Sequence, residues 1–209
     1  MVADGIGAQH VILVNDAGVF LAAEAAVESL PSLDPTRSLA KVSVAELAPL
    51  GGPEVVPFVK ARAMALLACE SVGVGEATMD LAVDYAKVRE QFGGPIGRFQ
   101  AVQHMCADML VEVESARSAA WFAAWATCPQ ANPDRTAESA MSAGRTALCT
   151  ATESAMKCAG TSIQVHGGIG FTWEHACHLY FKRARVNQTL LGEPRRHRVA
   201  LADRLLGAL

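Results

Sequence analysis

Residues 85 to 104, YAKVREQFGGPIGRFQAVQH, place Arg89, Gln91 and Phe92 at the end of one long helical pattern and Phe99 and Gln100 at the start of the next. Arg89 stays charged and offers a planar fork of N–H donors, a shape suited to a diphosphate. Gln91 adds a hydrogen-bonding amide, and Phe92 adds a flat face for an aromatic ring. The Gly/Pro turn between the two patterns makes this a corner. The plainer reading is a helix C-terminus, where arginine is favoured by the dipole and Phe92 packs inward. A second candidate is Gln164 to Phe171, QVHGGIGF. Beside Gln164, Gly167 and Gly168 have no side chains, so their backbone N–H groups can close on a ligand, and the helix that follows adds a positive dipole end. Its plainer reading is a turn between two helices.

The elements that must hold these corners change character near residue 50. Val11 to Val14, Val19 to Ala22 and Ala40 to Val44 are short apolar or alternating runs, separated by turn residues such as Asn15-Asp16-Ala17-Gly18 and Pro31 to Pro35. They predict three strands of an incomplete antiparallel sheet, a partial β-domain over residues 1–50. From about Val55 the period becomes helical: Leu67, Val74, Leu81 and Val88 recur on one core face of a first long helix, and Val102, Cys106, Met109, Val113, Ala116 and Ala120 do the same on a second that fades by Pro129. A third, Ala-rich helix is expected from about Arg135 to Ala159 with Gly160 ending it. A fourth is expected from the cap Thr172 to about Leu190, and a last from Pro194 to Leu206. Long amphipathic helices with short connections predict a mainly α protein, an antiparallel helical bundle over residues 51–209 with a few N-terminal strands.

A chain of 209 residues that is 51% hydrophobic can bury one good core, and a formal net charge of −3 without a lysine-rich tract argues against nucleic acid. The longest strongly apolar stretch, around Trp121 to Cys128, is too short to cross a bilayer, and no leader pattern stands at the N-terminus, so no membrane role and a cytoplasmic location are expected. The six cysteines form no Cys-x-x-Cys pair and read as free thiols among alanines. Glu174 and His178 share a helical face, yet a capping or surface pair is the better reading, and no metal is expected. The same holds for His104 and His166. Arg195, Arg196 and Arg198 read as a solvated helix face.

Together the R-x-x-F-G segment at Arg89 and the Q-x-x-G-G-x-G loop at Gln164 resemble the C-terminal domain of acyl-CoA dehydrogenases, and the likeness runs from about Val11 to the C-terminus. Residues 30 to 44 look like the closing strands of that family's middle β-domain. The resemblance implies that Arg89 binds the FAD pyrophosphate of a neighbouring subunit, with Gln91, Phe92 and Gln100 beside it. It also implies that Gln164, Gly167 and Gly168 contact the adenosine side of the same cofactor. An acyl-CoA substrate and a homo- or hetero-oligomer follow from it.

The departures concern catalysis. The family's base is a carboxylate that removes the α-proton of the thioester. Aligned through Gln188, its usual position falls on Leu191, followed by Gly192, and the alternative position on the first helix falls near Ala63. Neither residue can take a proton. Lys182-Arg183-Ala184-Arg185 stands where an Arg-Asp pair is usual, and Glu193 and Arg195 replace expected polar flavin contacts. Glu70 reads as an interhelical partner. The family's N-terminal helical domain and the first part of its β-domain have no counterpart here, so this chain alone is not expected to enclose a flavin. The preferred reading is a subunit that lacks the catalytic base and completes a partner's flavin pocket in α,β-dehydrogenation. A competent dehydrogenase with a base from elsewhere and a flavin-free helical interaction module stay open.

Overall fold

The structure, a computed structural model, describes residues 2–207, the side chains of Ala23 and Glu24 excepted. It contains two compact units, Met1–Lys60 and Ala61–Leu209.

The first unit is a four-stranded antiparallel sheet of β1 (Val2–Ala3), β2 (Val11–Asn15), β3 (Gly18–Leu30) and β4 (Leu39–Gly51), in the order β1-β4-β3-β2. The Asn15 side-chain carbonyl accepts from the Ala17 N–H at 2.9 Å and turns the chain from β2 into β3. Gly18 is required there, because a Cβ would stand 2.5 Å from the Gly51 carbonyl oxygen of the paired strand. At the other hairpin the buried Asp34 carboxylate accepts from the Thr36 N–H at 2.9 Å and hydroxyl at 2.6 Å. All three expected strands exist, but β3 and β4 are each 13 residues long. Ala25 to Ser29 are exposed on both faces of the ribbon, so that stretch has no inside-outside alternation to read.

In the second part of the chain, α1 (Val56–Val88), α2 (Gln100–Thr127), α3 (Ala137–His166), α4 (Cys177–Asn187) and α5 (Pro194–Leu206) form the helical bundle. The two-residue strands β5 (Glu90–Gln91) and β6 (Gly94–Pro95) make a small hairpin between α1 and α2. Three expectations are corrected. Gly160 does not end the third helix. A Cβ there would meet only the Phe181 ring at 3.9 Å, so the helix continues to His166 and stops where Gly167 takes φ +63°. Thr172 caps no helix, because its hydroxyl donates to the Ile169 carbonyl at 2.8 Å and the fourth helix begins only at Cys177. Val88 lies 74% exposed, because a strict seven-residue spacing drifts off the face of a straight helix.

The helices meet along an alanine seam. Ala65, Ala68 and Val72 of α1, Ala116, Ala120, Ala123 and Ala126 of α2 and Ala143, Ala147 and Ala151 of α3 form one buried cluster. Methyl-sized side chains let the backbones come close. At Gly144 a Cβ would stand 2.9 Å from the Ala61 carbonyl oxygen and 3.2 Å from its Cα, so α1 and α3 touch backbone to backbone there. The start of α3 is fixed by a capping box: Thr136 Oγ1 accepts from the Ser139 N–H at 3.0 Å, and Ser139 Oγ accepts from the Thr136 N–H at 3.1 Å. Among the described residues no helix is long and apolar enough to cross a membrane.

Candidate functional site at one end of the bundle

The first corner is held from within, and its candidate ligands face outward. The Arg89 N–H still donates to the Tyr85 carbonyl at 2.8 Å as the last turn of α1, while its own carbonyl accepts from the Ile96 N–H at 2.8 Å and closes the β5–β6 hairpin. Phe92 (φ +53°) and Gly93 (φ +86°) form the tip. Arg98 locks that tip: its guanidinium donates to the Phe92 carbonyl and to the Gly93 carbonyl (3.4 Å), and it lies 5.0 Å from the centroid of the Phe99 ring. With Arg98 committed to the backbone, Arg89 is exposed, and its side chain makes no hydrogen bond or ion pair with the described residues. Phe92 does not pack inward. It stands 85% exposed, edge-on to Phe99 at 6.1 Å. Gln100 is exposed in the first turn of α2, and the exposed Gln91 amide donates back to the Glu90 carbonyl at 2.7 Å.

The second corner is a 3-10 turn, Gly167–Phe171, directly after α3. Gly167 and Gly168 are exposed, and a Cβ on either would meet nothing within 4 Å. Gly170 is the sterically necessary glycine, since a Cβ there would stand 2.8 Å from the Ile163 carbonyl oxygen and 3.0 Å from the His166 Cβ. Gln164 is exposed on the last turn of α3.

The two corners share one end of the bundle. Tyr85, one turn before Arg89, stacks on His166, the residue before Gly167, with ring centroids 4.4 Å apart and planes 27° from parallel. Beneath them Ala82 and Ala86 of α1, Met109 and Val113 of α2 and Cys158 and Val165 of α3 form one buried cluster, against which Ile96 of the first corner packs. Sequence reading missed Tyr85 because an aromatic residue near a helix end carries no chemistry by itself. It also missed a group behind the second corner: His166, His175 and Cys177, whose ligating atoms all lie within 4.8 Å of one another. Burial pushes the His166 pKa down, against the bond of its Nδ1 to the Ser162 carbonyl, and burial pushes the Cys177 thiol up.

Where a base would be sought, Leu191 is exposed in a left-handed conformation (φ +59°), and its carbonyl accepts from His197 Nε2 at 3.0 Å. Ala63 is half-buried on α1. Glu70 is tied to α4, accepting from Arg183 Nη1 at 3.0 Å and from the buried Asn187 amide at 3.3 Å, which also donates to Ser71 Oγ at 3.3 Å. That interhelical bond network matches the structural role expected for Glu70. Arg198 pairs with Glu153, while Arg195 and Arg196 are exposed.

Residues 59–206 match the family described as acyl-CoA dehydrogenase, C-terminal domain. The acyl-CoA dehydrogenase IpdE2 of Mycobacterium tuberculosis (strain ATCC 25618 / H37Rv) is 41% identical over 168 residues, 80% of this chain and 48% of that protein. The acyl-CoA dehydrogenase FadE34 of the same organism is 46% identical over 170 residues, 81% of this chain and 23% of that protein. A chain of the ChsE4-ChsE5 complex from Mycobacterium tuberculosis superposes with a TM-score of 0.79 at 28% identity, over 94% of this chain and 54% of that one. The chain belongs to the acyl-CoA dehydrogenase family. It spans about half or less of the length of these relatives.

Proposed function

We propose that this chain completes the FAD site of a neighbouring subunit in an acyl-CoA dehydrogenase assembly and does not itself supply the catalytic base. The observation that carries this reading is the corner pair. An exposed arginine with no partner among the described residues and an open glycine backbone stand at one end of the bundle, joined by the Tyr85–His166 stack. A cationic fork and bare N–H groups suit a diphosphate, and the exposed Phe92 ring suits an aromatic base or ring edge. FAD, when bound, supplies the hydride acceptor for α,β-dehydrogenation of an acyl-CoA. The residues of this chain would hold it through Arg89, Gln91, Phe92 and Gln100 on one side and Gln164, Gly167 and Gly168 on the other. They position and desolvate the cofactor's tail and take no proton from the substrate, since Leu191 and Ala63 cannot accept one.

The ChsE4-ChsE5 likeness supports a heteromer, and the half-site needs a second chain in either case. The test is the visible spectrum and light-scattering mass of the purified chain, alone and mixed with an acyl-CoA dehydrogenase partner in the presence of FAD. The expected result is an oligomer carrying flavin that is bleached by an acyl-CoA only when the partner supplies a carboxylate base. A chain that stays monomeric and takes up no FAD in any mixture overturns the proposal. Turnover by a homo-oligomer overturns the missing-base part alone.

A further inference from the structure

The three groups behind the second corner come from both ends of one connection. His166 closes α3, His175 stands just before α4, and Cys177 is the first residue of α4. Cys177 Sγ lies 3.1 Å from His175 Nδ1 and 3.5 Å from His166 Nδ1, and the two imidazoles are 4.3 Å apart at 47°. Cys177 is fully buried, His166 nearly so and His175 half-buried. We propose that His166, His175 and Cys177 form a zinc-binding site that ties the end of α3 to the start of α4.

The chemistry of the donors selects the ion. One thiolate and two imidazoles are a borderline-soft, tetrahedral set, and three protein donors leave a fourth position for water or another ligand. With Zn–S near 2.3 Å and Zn–N near 2.0–2.1 Å, donors around a tetrahedral zinc stand roughly 3.3–3.6 Å apart. The sulfur-to-nitrogen distances of 3.1 and 3.5 Å lie close to that spacing before any ion has drawn the groups in. No backbone rearrangement is needed to bring the cysteine to either histidine.

The surroundings fit as well. The His166 ring is already oriented from two sides, by the Ser162 carbonyl 2.7 Å from Nδ1 and by the Tyr85 face. A fixed imidazole is what a metal site asks of its ligands. The 3.5 Å spacing to the sulfur is that of His166 Nδ1, so the ring takes the ion through Nδ1 and gives up its bond to the Ser162 carbonyl, while the Tyr85 face still holds the ring plane. Ser162 Oγ stands 3.7 Å from Cys177 Sγ, within reach to donate a hydrogen bond to the thiolate. Binding is a simple exchange: Zn²⁺ gains a bond to sulfur and the thiol proton leaves to solvent, with no oxidation step. The consequence lies in the segment between the ligands, since Gly167 to Phe171 would be held at both ends and the glycine backbone fixed.

The experiment uses the full chain without flavin, stripped by chelator and titrated with Co²⁺ and then Zn²⁺. One cobalt per chain with a thiolate-to-cobalt charge-transfer band, displaced by zinc, is the expected result, with a zinc-dependent rise in Tm. Cys177→Ser should abolish the band, and His175→Asn should weaken binding by at least roughly 100-fold, beyond what loss of an outer-shell partner does. His175 is half-buried, and an asparagine there can still accept the Cys177 N–H that Nδ1 accepts at 3.3 Å, so this variant keeps the test valid if Cys177→Ser does not fold. Absence of the band, or a band and affinity that persist in His175→Asn, overturns the proposal. The first result would leave the cluster a plain hydrogen-bonded network, and the second would remove His175 from the ligand set.

Discussion

The first corner is made by side chains and the second by the lack of them. At the hairpin, Arg98 spends its guanidinium on the Phe92 and Gly93 carbonyls, while Arg89 stands exposed with no partner among the described residues. At the 3-10 turn the shape is set by Gly167, whose φ is +63°, and by Gly170, which has no room for a Cβ, while Gly168 is restricted by nothing nearby. A substitution at the first corner can therefore remove a ligand contact without touching the fold. At the second corner the outcome depends on which glycine is changed, and that separates glycines kept for the backbone from glycines kept for what approaches it.

The largest effect is expected from Arg89→Ala. Loss of a charge-assisted contact worth about 1.5–3 kcal/mol should weaken FAD binding by the assembly roughly 10- to 100-fold, with Tm unchanged, as read by flavin fluorescence titration and a thermal melt. Retained affinity would remove Arg89 from the site. Gly170→Ala should destabilise the chain by about 1–3 kcal/mol in a urea melt, because the Ile163 carbonyl and the His166 Cβ cannot both yield. If this variant is as stable as the parent, the second corner is not held as described.

A pH titration probes the cluster beneath both corners. Burial pushes the Cys158 thiol up to about 11, from an ordinary value near 9. A raised thiol pKa means the unfolded chain loses its proton first. Stability is therefore complete below about pH 9 and falls by roughly 2 kcal/mol as pH approaches 11. Cys158→Ala should flatten that part of the melt-versus-pH curve; an unchanged slope would assign the loss to other groups. The smallest structural effect is the sharpest test of the contrast. Gly168→Ala should leave stability within about 0.5 kcal/mol, since its Cβ meets nothing, yet weaken FAD binding several-fold if a ligand closes on that backbone. No change in either measurement would leave Gly168 without a binding role.

Much of the fold was legible because its signals are periodic. Apolar spacing marked α1 and α2 as helices, and Pro129 and Pro194 punctuated the chain where α2 had just ended and α5 began. What escaped was decided by contacts distant in sequence or by empty space. Gly160 looks like a helix terminator in the sequence, but only the neighbouring Phe181 ring lies within 4 Å of the position its Cβ would take. The exposed ribbon of β3 has no pattern on either face. At the site, the Arg89 and Gln164 segments could be picked out by residue type and spacing. The stack that brings them together could not, because Tyr85 and His166 are far apart in the chain. Cys177 likewise looked like one more small residue among alanines until the turn folded it against two histidines.

A helix contact lined almost wholly with alanine, and with bare backbone at Gly144, has few rotamers with which to absorb a change. Leucine-rich seams can repack; this one acts as a fixed ruler between the rods it joins. A methyl added at Gly144 would meet the Ala61 backbone and must shift a helix, and the shift would be carried along α1 and α3 to their far ends, where Arg89 and Gly167 stand. Residues deep in the bundle, remote from both corners, would thus govern how far apart those corners are set.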